Sequence, residues 1–76
     1  MKLDYDCVRN IMLTIESLEN EEALTEENFK EFPLLKTYSI EKICYSVLRI
    51  REAGYIPPES TIEVIGGIIF AIRELT

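Results

Sequence analysis

Histidine and tryptophan are absent from this 76-residue chain, and cysteine occurs only twice. Without an imidazole to serve as general base, no nucleophile–base pair can be named. Two cysteines and no histidine also cannot assemble the usual four-ligand structural zinc site. Basic residues are scarce: eight Lys and Arg against fourteen Asp and Glu give a net charge of −6. Nucleic-acid affinity comes largely from cations that displace counterions from phosphates, so this balance argues against strong non-specific DNA binding. Long apolar runs are missing too. The longest, Val64 to Ile72, contains two glycines and is far short of the roughly 20 residues of a membrane-spanning helix. The opening MKLDYD has no apolar signal-peptide core, so cytoplasmic residence is the expectation. No glycine-rich phosphate loop precedes a helix. Carboxylates are plentiful, but none form a pair that a pocket would drive to different pKa values. Asp4 and Asp6 are read as a helix cap and a solvated acid rather than as metal ligands. The chain is expected to be non-enzymatic, with no cofactor and no metal.

A hydrophobic fraction of 47% is too high for a disordered chain. The length fits one small domain with a modest core. Charge is unevenly spread: residues 1–37 carry four basic and nine acidic side chains, residues 38–76 four and five. Any basic patch therefore belongs to the second half.

The spacing predicts a helix over 4–18. Asp4 is its N-cap, and Cys7, Val8, Ile11, Met12, Ile15 and Leu18 draw one apolar stripe at intervals of three and four. Arg9, Asn10, Thr14 and Glu16 take the wet side. Glu19 to Glu22 is a polar connection. LTEENFKEFP predicts a short helix over 25–32, capped by Thr25, stapled by Leu24 and Phe29 and stopped by Pro33. Leu34 to Thr37 reads as an extended link or short strand.

A third helix over 39–53 has Ser39 as its cap and Gly54 just past its end. Ile43, Cys44, Val47, Leu48 and Ile50 form its inward stripe. Cys7 and Cys44 are thus read as buried small hydrophobes. Lys42, Tyr45, Ser46 and Arg49 are expected on one outward face; such groups reach phosphates and base edges, although Glu41 and Glu52 flank them. An ordinary solvated face is the competing reading.

Ser60 to Thr76 fits either a capped helix or a hairpin. Two adjacent glycines would cost such a helix about 2 kcal/mol, and the stretch is rich in β-branched residues, so a hairpin over 61–75 is favoured. With Gly66-Gly67 as a type I′ turn, Val64 would face Ile69. Ile62, Val64, Ile69 and Ala71 then lie on one face, with Thr61, Glu63, Ile65, Ile68, Phe70 and Ile72 on the other. Both faces are mostly apolar, so one needs cover from further chain, a second subunit or a partner.

Three stretches, MKLDYDCVRNIMLTIE, FPLLKTYSIEKICYSVLRIREAGYI and IRELT, resemble a domain-of-unknown-function family (number 2513). Its members are short proteins of Gram-positive bacteria and their phages, similar to winged-helix domains. The resemblance implies an α+β fold, winged helix-turn-helix-like: helix, short helix, optional strand, helix, two-stranded wing. In that family the residues matching Leu75 and Thr76 run on through a Gly-His-Glu-Phe-Leu-Asp stretch into a last helix. That helix lies outside these 76 residues and would account for the uncovered face. The resemblance implies no catalytic residue, cofactor or small-molecule ligand.

Two functional classes follow. The first is a phage- or prophage-associated protein-interaction module, including self-association. It would work through the apolar residues Ile62, Val64, Ile65, Ile68, Ile69, Phe70 and Ile72. The second is a DNA-binding regulator using Lys42, Tyr45, Ser46 and Arg49, with Arg51 and Arg73 on phosphates; this rests on fold analogy. A further alternative is an acidic inhibitor of a host nucleic-acid-binding or defence protein. The charge balance tips the expectation towards interaction.

Overall fold

The computed structural model describes residues 2–76. Helix α1 spans Tyr5–Glu16, and the Asp4 carboxylate accepts the Cys7 N–H at 3.1 Å. Cys7, Ile11 and Ile15 are buried as the periodicity requires. Thr14, expected in water, is buried as well. Its hydroxyl donates to the Asn10 carbonyl at 2.8 Å, so the side chain satisfies itself one turn back and its methyl can be packed.

Helix α2 spans Ile40–Glu52, with the Ser39 hydroxyl accepting the Lys42 N–H at 3.2 Å. Its end is a Schellman closure. Tyr55 N–H reaches the Ile50 carbonyl and Gly54 N–H the Arg51 carbonyl, while Gly54 takes φ +84°, a conformation glycine adopts without penalty. Thr76 returns to this corner, its N–H donating to the Tyr55 carbonyl at 3.0 Å and its hydroxyl to Gly54.

The 25–32 segment departs from expectation. Leu24–Thr25 form a short strand, β1, and only Phe29–Glu31 make a 3-10 turn. The capping chemistry is present nonetheless. Thr25 Oγ1 accepts the Asn28 N–H, and Asn28 Oδ1 accepts the Thr25 N–H at 2.8 Å. A helix confined between that cap and Pro33 is too short to repay nucleation. Leu34 to Thr37 are turns rather than an extended link.

Strands β2 (Thr61–Val64) and β3 (Gly67–Ile72) form the expected hairpin, and β1 joins β3 on its other side, giving the antiparallel order β1-β3-β2. The register differs from expectation: Val64 pairs with Gly67, Ile62 with Ile69 and Thr61 with Phe70. The loop is Ile65-Gly66. Only Gly66 has positive φ, +90°, as a type II turn requires and a type I′ turn does not. Moving the turn by one residue shifts each partner by two, so the strand side chains keep their expected faces, while Ile65, expected in the strand beside Ile68, is displaced into the turn and fully exposed.

The inner face carries Ile68, Phe70 and Ile72, all buried. They join Cys7, Ile11 and Ile15 of α1 and Ile43, Val47 and Ile50 of α2, with Leu24, Phe29, Leu35 and Ile56 closing the ends. Two helices under a three-stranded antiparallel sheet make an α+β fold, compatible with a winged-helix arrangement. Among the described residues, no helix is long and apolar enough to cross a membrane.

β1 covers β3 only through Leu24↔Ile72 and Thr25↔Ala71. Beyond it, the Glu26 carboxylate accepts the Phe70 N–H at 3.0 Å, standing in for the next residue of the strand. Glu26→Ala should therefore leave a half-buried donor unpaired and cost about 1 to 3 kcal/mol, measured by urea denaturation. A variant as stable as the parent would show that this bond contributes nothing.

Candidate functional site

The four residues expected on an outward face of α2 do not form one. Ser46 is fully buried, while Lys42, Tyr45 and Arg49 are half-buried. Position 46 lies three after Ile43 and four before Ile50, on the apolar stripe itself; its hydroxyl prompted the outward assignment. Its oxygen lies against the Cys7 thiol without a hydrogen bond of good geometry. Lys42 Nζ sits 3.2 Å from the Asp4 carboxylate, tying the first turn of α2 to the cap of α1. Arg49 pairs with Glu52 at 2.9 Å and lies over the Tyr45 ring, 5.2 Å from its centre. Its Nε is buried without a partner. Arg49 also borders a small apolar cleft with Leu3, Tyr5 and Val8, so this side of α2 packs towards α1.

The two expected phosphate contacts are also engaged. Arg51 donates to Thr61 Oγ1 at 2.8 Å and reaches Glu63 at 3.4 Å, bracing the start of β2 from below. Arg73 donates to the Glu21 carbonyl at 3.4 Å but stays exposed. Both thiols are pushed up in pKa by burial, Cys44 also by Glu26 and Glu41. They are held as protonated packing groups, not nucleophiles. Among the described residues, no cluster of three or more acidic or cysteine side chains could hold a metal ion.

The apolar set divides cleanly. Ile68, Phe70 and Ile72, expected at an interface, belong to the core; their side chains hold the sheet on the helices. Ile62, Val64 and Ile69 stand on the outer face, 63%, 43% and 47% exposed, and Ile65 at the tip is fully exposed. Glu63 is the sole charged residue between Ser60 and Ile72. At the base of the same face, Pro57, Glu59, Ser60, Ala71, Arg73 and Glu74 line an open cleft of about 200 Å³. Sequence reasoning missed this cleft, because the Pro58–Ser60 3-10 turn that forms its wall is visible only in the fold.

Two helices beneath a three-stranded antiparallel sheet, with the outer face of the hairpin exposed, make an α+β domain compatible with a winged-helix arrangement. The chain belongs to the family described as "Hypothetical protein (DUF2513)", a domain of unknown function whose model matches residues 2–76. No curated protein and no solved structure matches it.

The ionised Asp4 cap, bonded to the Cys7 N–H and paired with Lys42, makes stability pH-dependent. The Cys7 N–H, followed by the Lys42 ammonium, holds the Asp4 carboxyl below its usual range. A depressed native pKa means that this contribution is complete above about pH 3.9 and is lost as pH falls through the lower native value. Asp4→Asn should therefore be less stable than the parent at neutral pH, with the gap narrowing in stronger acid. Urea midpoints along that pH series would test this; a pH-independent gap would remove the ionised cap from the account.

Proposed function

We propose that this chain is a non-enzymatic protein-interaction module that works through the outer face of its β2–β3 hairpin. The single observation carrying this reading is the isoleucine-rich face itself. Ile62, Val64 and Ile69 are about half exposed or more and continue onto a fully exposed Ile65. Branched aliphatic side chains in water are unfavourable by roughly 25 cal/mol per Å² of apolar surface, and a contiguous patch of them marks an interaction site more often than scattered residues do. In β3 the alternate residues Ile68, Phe70 and Ile72 are the buried ones, so Ile69 lies on the side that the core does not fill. The phage or prophage association belongs to this reading as its biological setting: a small acidic domain acting on another protein in the host cytoplasm.

DNA binding draws less support. The cations named for it on α2 are paired with Asp4, Glu52 and Glu63, and Ser46 is inside. Neutralising phosphates would require breaking these pairs in a chain of net charge −6.

Affinity capture from a bacterial extract tests the interaction reading. The parent should retain a defined protein that the Ile62→Glu and Ile69→Glu variants lose, while circular dichroism shows all three folded. Identical capture by parent and variants would overturn the assignment of this face.

A further inference from the structure

We propose that, apart from the hairpin, the cleft between the start of α1 and the end of α2 binds a small monocarboxylate with an aromatic or branched aliphatic body. Arg49 takes the carboxylate. The cleft holds about 200 Å³ between Leu3, Tyr5 and Val8 on one side and Ile50, Ala53 and Tyr55 on the other, and its exposed lining is wholly apolar. Arg49 lines it too, so it offers its aliphatic stem there and carries its charged head at the margin. The volume suits a single ring or one branched group rather than a larger ligand. Tyr5 and Tyr55 are 78% and 53% exposed, rings of the kind that cover an apolar ligand while the hydroxyl stays wet.

The guanidinium is suited to a carboxylate and only half used. Along one edge, Nε–H and Nη2–H point the same way and fit the two oxygens of a carboxylate. Glu52 reaches Nη2 alone, at 2.9 Å, and Nε is buried without an acceptor. A buried donor left unpaired is unusual in a native protein, and here the missing group is an acceptor oxygen beside an apolar cleft. The Arg49 side chain is 40% exposed, so turning its head from Glu52 towards the cleft opens Nε to a ligand. Glu52 competes weakly, because the pair is exposed and lies within one helix. Local charge has the right sign. Lys2 and Arg9 adjoin Leu3 and Val8 in sequence, are exposed, and form no ion pair among the described residues. With Arg49 they outnumber Asp6 and Glu52, Asp4 being paired with Lys42, in a chain of net charge −6. A carboxylate on Nε and Nη2 sets its apolar body over the arginine stem and into the cleft.

Titration of the isotope-labelled full chain with 3-phenylpropionate at neutral pH, followed by backbone amide NMR shifts, tests the site. The parent should show saturable shifts centred on Leu3, Val8, Arg49 and Ala53, with the low-millimolar Kd of a fragment. The neutral 3-phenylpropanamide should bind at least about fivefold more weakly, and acetate at the same concentration should leave these amides unmoved. Arg49→Lys keeps the charge and loses the fork, so acid and amide should then bind within about twofold of each other. Glu52→Gln removes the internal competitor and should tighten phenylpropionate binding about two- to fivefold. Ala53→Leu fills the cleft and should abolish binding of both probes. Position 53 is exposed and 49 half-buried, and circular dichroism verifies folding of each variant. A parent without saturable shifts up to about 20 mM probe, or with equal affinity for acid and amide, overturns the site. An acid preference that survives Arg49→Lys, or weaker binding by Glu52→Gln, overturns the role given to the Arg49 fork.

Discussion

Strand β3 sits in the middle of the sheet, and a central strand must have both of its edges satisfied. One edge is simple: β2 follows from a tight turn and pairs over four residues. The other edge has only Leu24 and Thr25 to offer, and the Glu26 carboxylate supplies what the strand lacks by accepting the Phe70 N–H. Thr25 and Asn28 hold Glu26 there by exchanging backbone and side-chain bonds. Once β3 is fixed, its alternation decides the rest. Ile68, Phe70 and Ile72 enter the core between the helices, while Ile69 and Ala71 are turned outward beside Ile62 and Val64.

The helices were legible because their signals are local. Asp4, Ser39 and Gly54 mark ends that short-range hydrogen bonds settle, and the apolar stripes need no knowledge of the partner. The hairpin was legible in its faces and not in its register. The apolar alternation of the strands is the same whether the turn is Ile65-Gly66 or Gly66-Gly67, so the pattern marks the faces and leaves the register open. β1 was illegible for a different reason. LTEEN carries a capping signal that is satisfied in the structure, but nothing local reveals that Leu24 and Thr25 will be needed 48 and 46 residues later by Ile72 and Ala71.

The polar residues of α2 show how composition misleads when packing is unknown. Lys42, Tyr45, Ser46 and Arg49 share one side of the helix as their spacing requires, yet that side meets α1. The lysine becomes a clamp on the cap of α1, the arginine stacks on the tyrosine beside it, and the serine is packed against Cys7. Such groups serve cohesion between the helices. The accessible branched aliphatic side chains Ile62, Val64, Ile65 and Ile69 gather on the hairpin, where the sequence already held more isoleucine than a wet face should carry.

The two faces of β3 differ: the inner one holds the fold, and the outer one is the face proposed for a partner. Unfolding free energies of Phe70→Ala and Ile69→Ala, taken side by side in dilute solution where any dimer has dissociated, test it most directly. Phe70→Ala should cost about 3 to 5 kcal/mol, or prevent folding of so small a domain, as expected for a buried aromatic. Ile69→Ala should cost less than about 1 kcal/mol. Comparable losses at both positions would mean that the outer face is part of the folded core, and would contradict the account.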